Sequence, residues 1–210
     1  MNIGIGIPEL IAEEVLERGM LDKVHLSVES GHTGGYPLSG MGFGVSIGPD
    51  SMMDMARQFD FYEGGGLDIC FIGTLQVDAK GNVNGHQAPG KLSGIGGFAN
   101  ISQTTKKVVF CFTFTAGGLE GTFDGKSVHI TREGRNKKFL ETIPTRSFAV
   151  ENAMAIDQEV LYVTERCVFG LTEDGLELRE VAPGIDLQKD ILDQLPFRPK
   201  IAAELKVMQF

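Results

Sequence analysis

The carboxylate of Glu29 stands between an apolar alternating run and a cluster of glycines in the stretch HLSVESGHTGG, residues 25–35. Val24, Leu26 and Val28 alternate with His25 and Ser27, the period of a half-buried strand, and Gly31, Gly34 and Gly35 then break the pattern. That puts Glu29 at a strand's end, where a carboxylate can serve as nucleophile, as general base, or only as a solvated loop acid. The other chemistry-bearing residues are less pointed. Cys70, Cys111 and Cys167 lie far apart inside apolar runs, without the close pair spacing of metal or redox sites, and read as buried thiols. His25, His32, His86 and His129 show no paired spacing with acids or cysteines that a zinc site would need, so no metal is expected. Only His32 lies near Glu29, and an ordinary loop histidine is the reading for it.

The elements that must position these residues come from a chain of 210 residues, long enough for one well-packed domain and short for two. Its net charge of −9, from 28 acids against 19 bases, excludes a basic footprint for nucleic acid or an anionic membrane surface. The apolar runs are too short for a membrane span or a secretory signal, which predicts a cytoplasmic protein. Glycine is abundant, 28 in 210 residues, nearly twice the usual share of about 7%. The glycines bunch as GIGIP, ESGHTGG, GMGFG, YEGGGLD, GIGGF and TAGGLEG at the ends of apolar runs, where a backbone turns sharply or approaches a ligand closely.

Along the chain, PELIAEEVLERG predicts an amphipathic helix, with Pro8 at its first position and Gly19 as its stop. VHLSV predicts a strand running into Glu29. SMMDMARQFDFYEGGG predicts a second helix, with Met52, Met55, Phe59 and Tyr62 on one face and the methionines as core filler. LDICFIGTLQV and KKVVFCFTFTA read as strands apolar on both faces, which belong in a covered sheet. GTFDGKSVHI and FGLTEDGLELREV each place Asp-Gly between β-prone runs and predict two antiparallel hairpins. Near the end, Asp186 is an N-cap for a stripe of Leu187, Ile191, Leu192 and Leu195, stopped at Pro196. No repeat or linker divides the chain. The fold class is α/β: a mixed sheet around VHLSV, LDICFIG and VVFCFTF, helices on both faces, and glycine-rich loops gathered at the active-site end.

Five strings in order, GIGIPELIAEEV, SVESGHTGG, FDFYEGGGLDICFIGTLQVDAKGNVN, GIGGFANISQTTKKVVFCFTFTAGG and FRPKIAAELK, resemble the second, beta-subunit-like half of the class I coenzyme A transferases, notably the acetate/propionate and 3-oxoacid type. The resemblance runs from Ile3 to about Met208. It implies the CoA-transferase fold and an enzyme that moves coenzyme A between a short-chain acyl-CoA and a carboxylic acid by ping-pong chemistry. In the family, the glutamate of SVESG is the covalent nucleophile, which is Glu29 here, followed by Gly31. The family's G-x-G-G-F motif falls on Gly94, Gly96, Gly97 and Phe98, whose backbone amides help to hold the reacting carbonyl oxygen. No permanently bound cofactor is implied; coenzyme A is substrate and covalent intermediate. The resemblance also leads us to expect amides or a helix N-terminus holding Glu29 ionised.

Family members carry a first half of similar fold, as an alpha-type subunit or in the same chain, and a short helical lead before this point; this chain begins at Met1 with NIGIGIP. Residues 1–210 are therefore expected to be a single beta-type domain shortened at its N-terminus, active with the first half, oligomeric, and exposing apolar surface when alone. One alternative is a non-catalytic partner module or CoA-binding half that is inactive by itself. A lesser one is a sugar-phosphate isomerase-like enzyme of the same fold using a carboxylate as general base, against which the pairing of ESG with GIGGF weighs.

Overall fold

A computed structural model describes residues 1–88 and 90–210. Its centre is a seven-stranded mixed sheet in strictly sequential order: β1 (Asn2–Ile3), β2 (Ile69–Ile72), β3 (Lys107–Cys111), β4 (Glu159–Val163), β5 (Cys167–Thr172), β6 (Gly175–Val181) and β7 (Lys200–Val207). β1 to β4 are parallel, β4, β5 and β6 form an antiparallel meander, and β7 returns parallel to β6. Helices α1 (Leu10–Glu17), α2 (Met55–Glu63), α3 (Phe98–Ser102) and α4 (Val150–Ala155) lie in the connections between the parallel strands.

The doubly apolar strands are covered as their composition requires. Ile72, Phe110, Tyr162, Phe169 and Leu178 stand level with one another across five strands, and all belong to the main core. Each side chain of that size contributes about 1.5–3 kcal/mol by leaving water. Tyr62 of α2, Phe98 and Ile101 of α3, and Val150 and Ala153 of α4 pack into the same core. Ile3, level with Phe71 and Val109, faces the other way and packs with Ala12 and Val15 of α1 and with Leu26. The sheet therefore carries helices on both faces.

Both Asp-Gly hairpins form: Glu120–Phe123 pairs with Val128–Arg132, and β5 pairs with β6. Asp186 caps its helical turn, Leu187–Leu192, by accepting the Lys189 N–H at 2.8 Å, and Ile191 and Leu195 are buried. The strand that follows, β7, was not anticipated from the sequence.

Two expectations are corrected. VHLSV is not a ladder strand: only Ser27 bridges, to Asn2 of β1 and to Thr33. The chain turns back directly after Val28, which leaves one residue in register with both neighbours. The methionines are not core filler either, because Met41, Met52, Met53 and Met55 are exposed while α2 buries Gln58 and Tyr62 instead.

Candidate active site

Glu29 occupies the tip of a tight turn. The Gly31 N–H donates to Val28 O at 3.1 Å, and Val28 N–H donates to His32 O at 3.1 Å, so Glu29 and Ser30 are the turn's central residues. Gly31 closes it at φ 109°, and a Cβ there would stand 1.9 Å from Met53 O, so only glycine allows the approach. Beneath the turn, Tyr62 OH donates to Ser27 Oγ at 3.0 Å while Asn2 Nδ2 donates to both Tyr62 OH and Ser27 O at 3.2 Å. This buried network ties the segment two residues before Glu29 to α2 and to β1.

The carboxylate faces a cavity of about 550 Å³ at the carboxyl ends of the parallel strands. Its walls come from the residues just past β1 (Gly4 to Ile7), just past β2 (Gly73 to Leu75), and from Cys111 and Phe112 at the end of β3. The crevice beyond the carboxyl ends of parallel strands is where open α/β sheets bind ligands. Gly94, Gly96, Gly97 and Phe98 line the same cavity, so the two glycine motifs meet although about 65 residues separate them in sequence. Gly31 and His32 do not line it. The ring of His32 meets Ser30 Oγ at 3.2 Å in the turn.

The meeting is close. A Cβ on Gly97 would lie 2.9 Å from Glu29 Oε2 and 2.8 Å from Phe59 Cζ, so the carboxylate rests on bare backbone. Phe98 anchors that backbone, stacking on Phe110 with ring centroids 5.9 Å apart. Its own N–H is used by Ile95 O at 3.2 Å. Among the described residues the N–H groups of Gly94, Gly96 and Gly97 meet no acceptor.

Glu29 is half-buried and accepts no hydrogen bond among the described residues. Desolvation raises its pKa above the usual 4.5. This corrects the expectation that amides or a helix N-terminus hold its charge. At this turn tip the space that a Cβ on Gly97 would fill, and no donor among the described residues, lies against the carboxylate.

One cavity residue escaped the sequence reading. Lys138 is half-buried, its Nζ lies 5.1 Å from the centroid of the Phe112 ring, and burial lowers its pKa to about 8 against an opposing pull from Glu165. The only available signal was its place beside an apolar pair in NKKFL, which its neighbour Lys137 nearly shares. Burial keeps the Cys111 thiol neutral, with its pKa pushed up to about 12. The cavity mouth is apolar, with Ile5, Ile7 and Ile95 both lining it and exposed. Among the described residues no helix is long and apolar enough to cross a membrane.

No family model matches the chain. Over 207 residues, 99% of this chain, it is 46% identical to the acetate CoA-transferase YdiF of Escherichia coli K12, and the match spans 39% of that protein. It is 28% identical over 222 residues to the acetate CoA-transferase subunit beta of Escherichia coli K12, covering 100% of this chain and 89% of that subunit. The crystal structure of acyl-CoA transferase YdiF from Escherichia coli O157:H7, in a thioester complex with CoA, matches with a TM-score of 0.93 at 45% identity, over 99% of this chain and 39% of that one. The chain thus spans 39% of the length of the YdiF proteins it matches.

Proposed function

The chain belongs to the class I coenzyme A transferases, in their beta-type half, and we propose that in the complete enzyme it supplies the carboxylate through which coenzyme A passes from a short-chain acyl-CoA to a carboxylic acid. The observation that carries this reading is the placement of Glu29 Oε2 against the bare backbone of Gly97 inside a cavity walled by glycines.

The chemistry follows from that placement. A Glu29 oxygen attacks the thioester carbonyl carbon, the C–S bond breaks, and coenzyme A leaves as thiolate from an acyl-glutamyl anhydride. The thiolate then attacks the Glu29 carbonyl carbon and expels the acyl group as a carboxylate, leaving a glutamyl-CoA thioester. The acceptor acid runs the two steps backwards, with no net proton or electron. With no hydrogen-bond donor on it among the described residues, the Glu29 carboxylate keeps its lone pairs for attack. The unused amides of the Gly94–Gly97 loop are available to negative charge developing on the carbonyl oxygen, and the absence of side chains there lets a bulky thioester approach. Gly31 serves this site through the turn that it closes.

An alpha-type first half completes the enzyme in this reading. The exposed Met41, Val45, Ile47, Met52 and Met55 supply apolar surface for it to cover. The test is transfer of coenzyme A from acetyl-CoA or propionyl-CoA to a second acid by the complete two-half assembly. Parallel ping-pong lines that vanish in Glu29→Gln are expected; a Glu29→Gln enzyme that keeps wild-type turnover would refute the proposal.

A further inference from the structure

Among the described residues, the cavity around Glu29 contains one acidic and one basic side chain, Glu29 and Lys138, in a wall otherwise made of glycine, apolar side chains and small polar residues. Neither makes an ion pair among the described residues. Long side chains with a charged end seldom stay unpaired where they are half-buried, because desolvation without a partner is unfavourable. The Lys138 ammonium is kept at the wall by the Phe112 ring, itself part of the lining. Glu165, an acid whose charge acts on it, is committed elsewhere: it accepts the Phe114 N–H at 2.8 Å and Arg166 Nε at 2.8 Å.

We propose that Lys138 is the receptor for the substrate's carboxylate, its ammonium pairing with the acid that enters or leaves beside Glu29. The inference rests on the reading of Glu29 as nucleophile, because the charge of the cavity then changes during turnover. In the free enzyme the Glu29 anion and the Lys138 cation balance, and the cavity accepts the uncharged acyl group of an acyl-CoA. Once Glu29 is a thioester it is neutral, the Lys138 cation is no longer balanced by it, and the cavity selects an anion. The acid formed from the donor is held in the same place before it leaves. Charge-assisted pairing of this kind also lets the acid's oxygen be aimed at the glutamyl carbonyl carbon. Lys138 and Leu75 also line a second cavity of about 660 Å³ that carries Arg135 and Lys137, which opens a rival role: contact with another part of coenzyme A.

The complete two-half enzyme decides between them, with isotopically labelled acetate as the probe acid, unlabelled acetyl-CoA as the donor, and turnover read as label entering acetyl-CoA. Lys138→Met should raise the KM for acetate about 10- to 100-fold, leave the KM for acetyl-CoA within about twofold, and still form the Glu29 adduct in a single turnover. Lys138→Arg should recover most of the acetate affinity. In the wild type, KM for acetate should climb as pH passes about 8, where the ammonium is lost. That limb should be absent in Lys138→Arg, whose guanidinium stays charged, and a purely structural lysine would show neither behaviour. An unchanged acetate KM, or a rise confined to acetyl-CoA, overturns the proposal. Failure of the wild type to form any adduct at Glu29 would overturn the nucleophile reading instead, a result separate from the acetate arm.

Discussion

Replacing Gly97 by alanine isolates the contact on which the site depends. Its backbone, at φ −78°, is one that alanine adopts freely, so the substitution adds a methyl group without backbone strain. That methyl would lie 2.9 Å from Glu29 Oε2 and 2.8 Å from Phe59 Cζ, against an ordinary contact of 3.4 Å or more. The carboxylate must therefore retreat by roughly half an ångström, and since a misplacement near an ångström costs about a hundredfold in rate, the loss should be about 10- to 100-fold. Gly96→Ala is the matched control. Nothing lies within 4 Å of its Cβ, but φ +53° is left-handed, so it should lose about 1–2 kcal/mol of stability and keep its rate within a few-fold. The assay is single-turnover formation of the enzyme–CoA adduct in the complete assembly, with thermal melts of both variants. Wild-type kinetics in Gly97→Ala, or an equal loss in Gly96→Ala, would refute the claim that bare backbone at residue 97 sets the position of Glu29.

Burial raises the pKa of Glu29 above 4.5, so between the unfolded and folded values the native chain binds more protons and stability falls as pH rises through that window. Glu29→Gln should accordingly melt higher than wild type near neutral pH, with the difference closing below 4.5; equal melting at all pH values would contradict this. Arg166 is fully buried, pairs with Glu133 and Glu165 at 2.8 Å, and lies 4.6 Å from the centroid of the Phe114 ring. Arg166→Met should cost about 2–4 kcal/mol in denaturant unfolding, less than for a wholly buried pair because both carboxylates reach solvent. Changing Met41, Met52 and Met55 together to serine should weaken association with the alpha-type half in sedimentation while leaving the melting temperature of this chain nearly unchanged, since all three side chains are exposed.

That Glu29 and the GIGGF glycines share one cavity was legible because SVESG and GIGGF resembled a family's motifs in the right order, while the local pattern around Glu29 alone left a solvated loop acid open. The sheet was legible because Val108 to Cys111 are apolar on both faces, a composition that only a covered strand tolerates. Residues 24–28 misled because alternation signals burial on one side, and Leu26 and Val28 are indeed buried, yet the turn at Glu29 limits pairing to Ser27. The methionines misled because helical spacing cannot say which way a helix is rotated, and a network around Tyr62 fixes that rotation here. Lys138 was hidden beside Lys137. Which of the two turns inward depends on Phe139 pairing with Val77, a partner 62 residues earlier in the chain.

The central claim is that Glu29 becomes covalently bound to coenzyme A. In the complete assembly, exposure to an acyl-CoA followed by borohydride reduces a glutamyl thioester in place, and peptide mass mapping then locates it. Glu9 and Glu63 serve as internal references, being hydrogen-bonded to the Gly6 and Gly40 amides and to Asn100 respectively. The account predicts modification at Glu29 with both references unchanged; modification at another acid with Glu29 intact would contradict it.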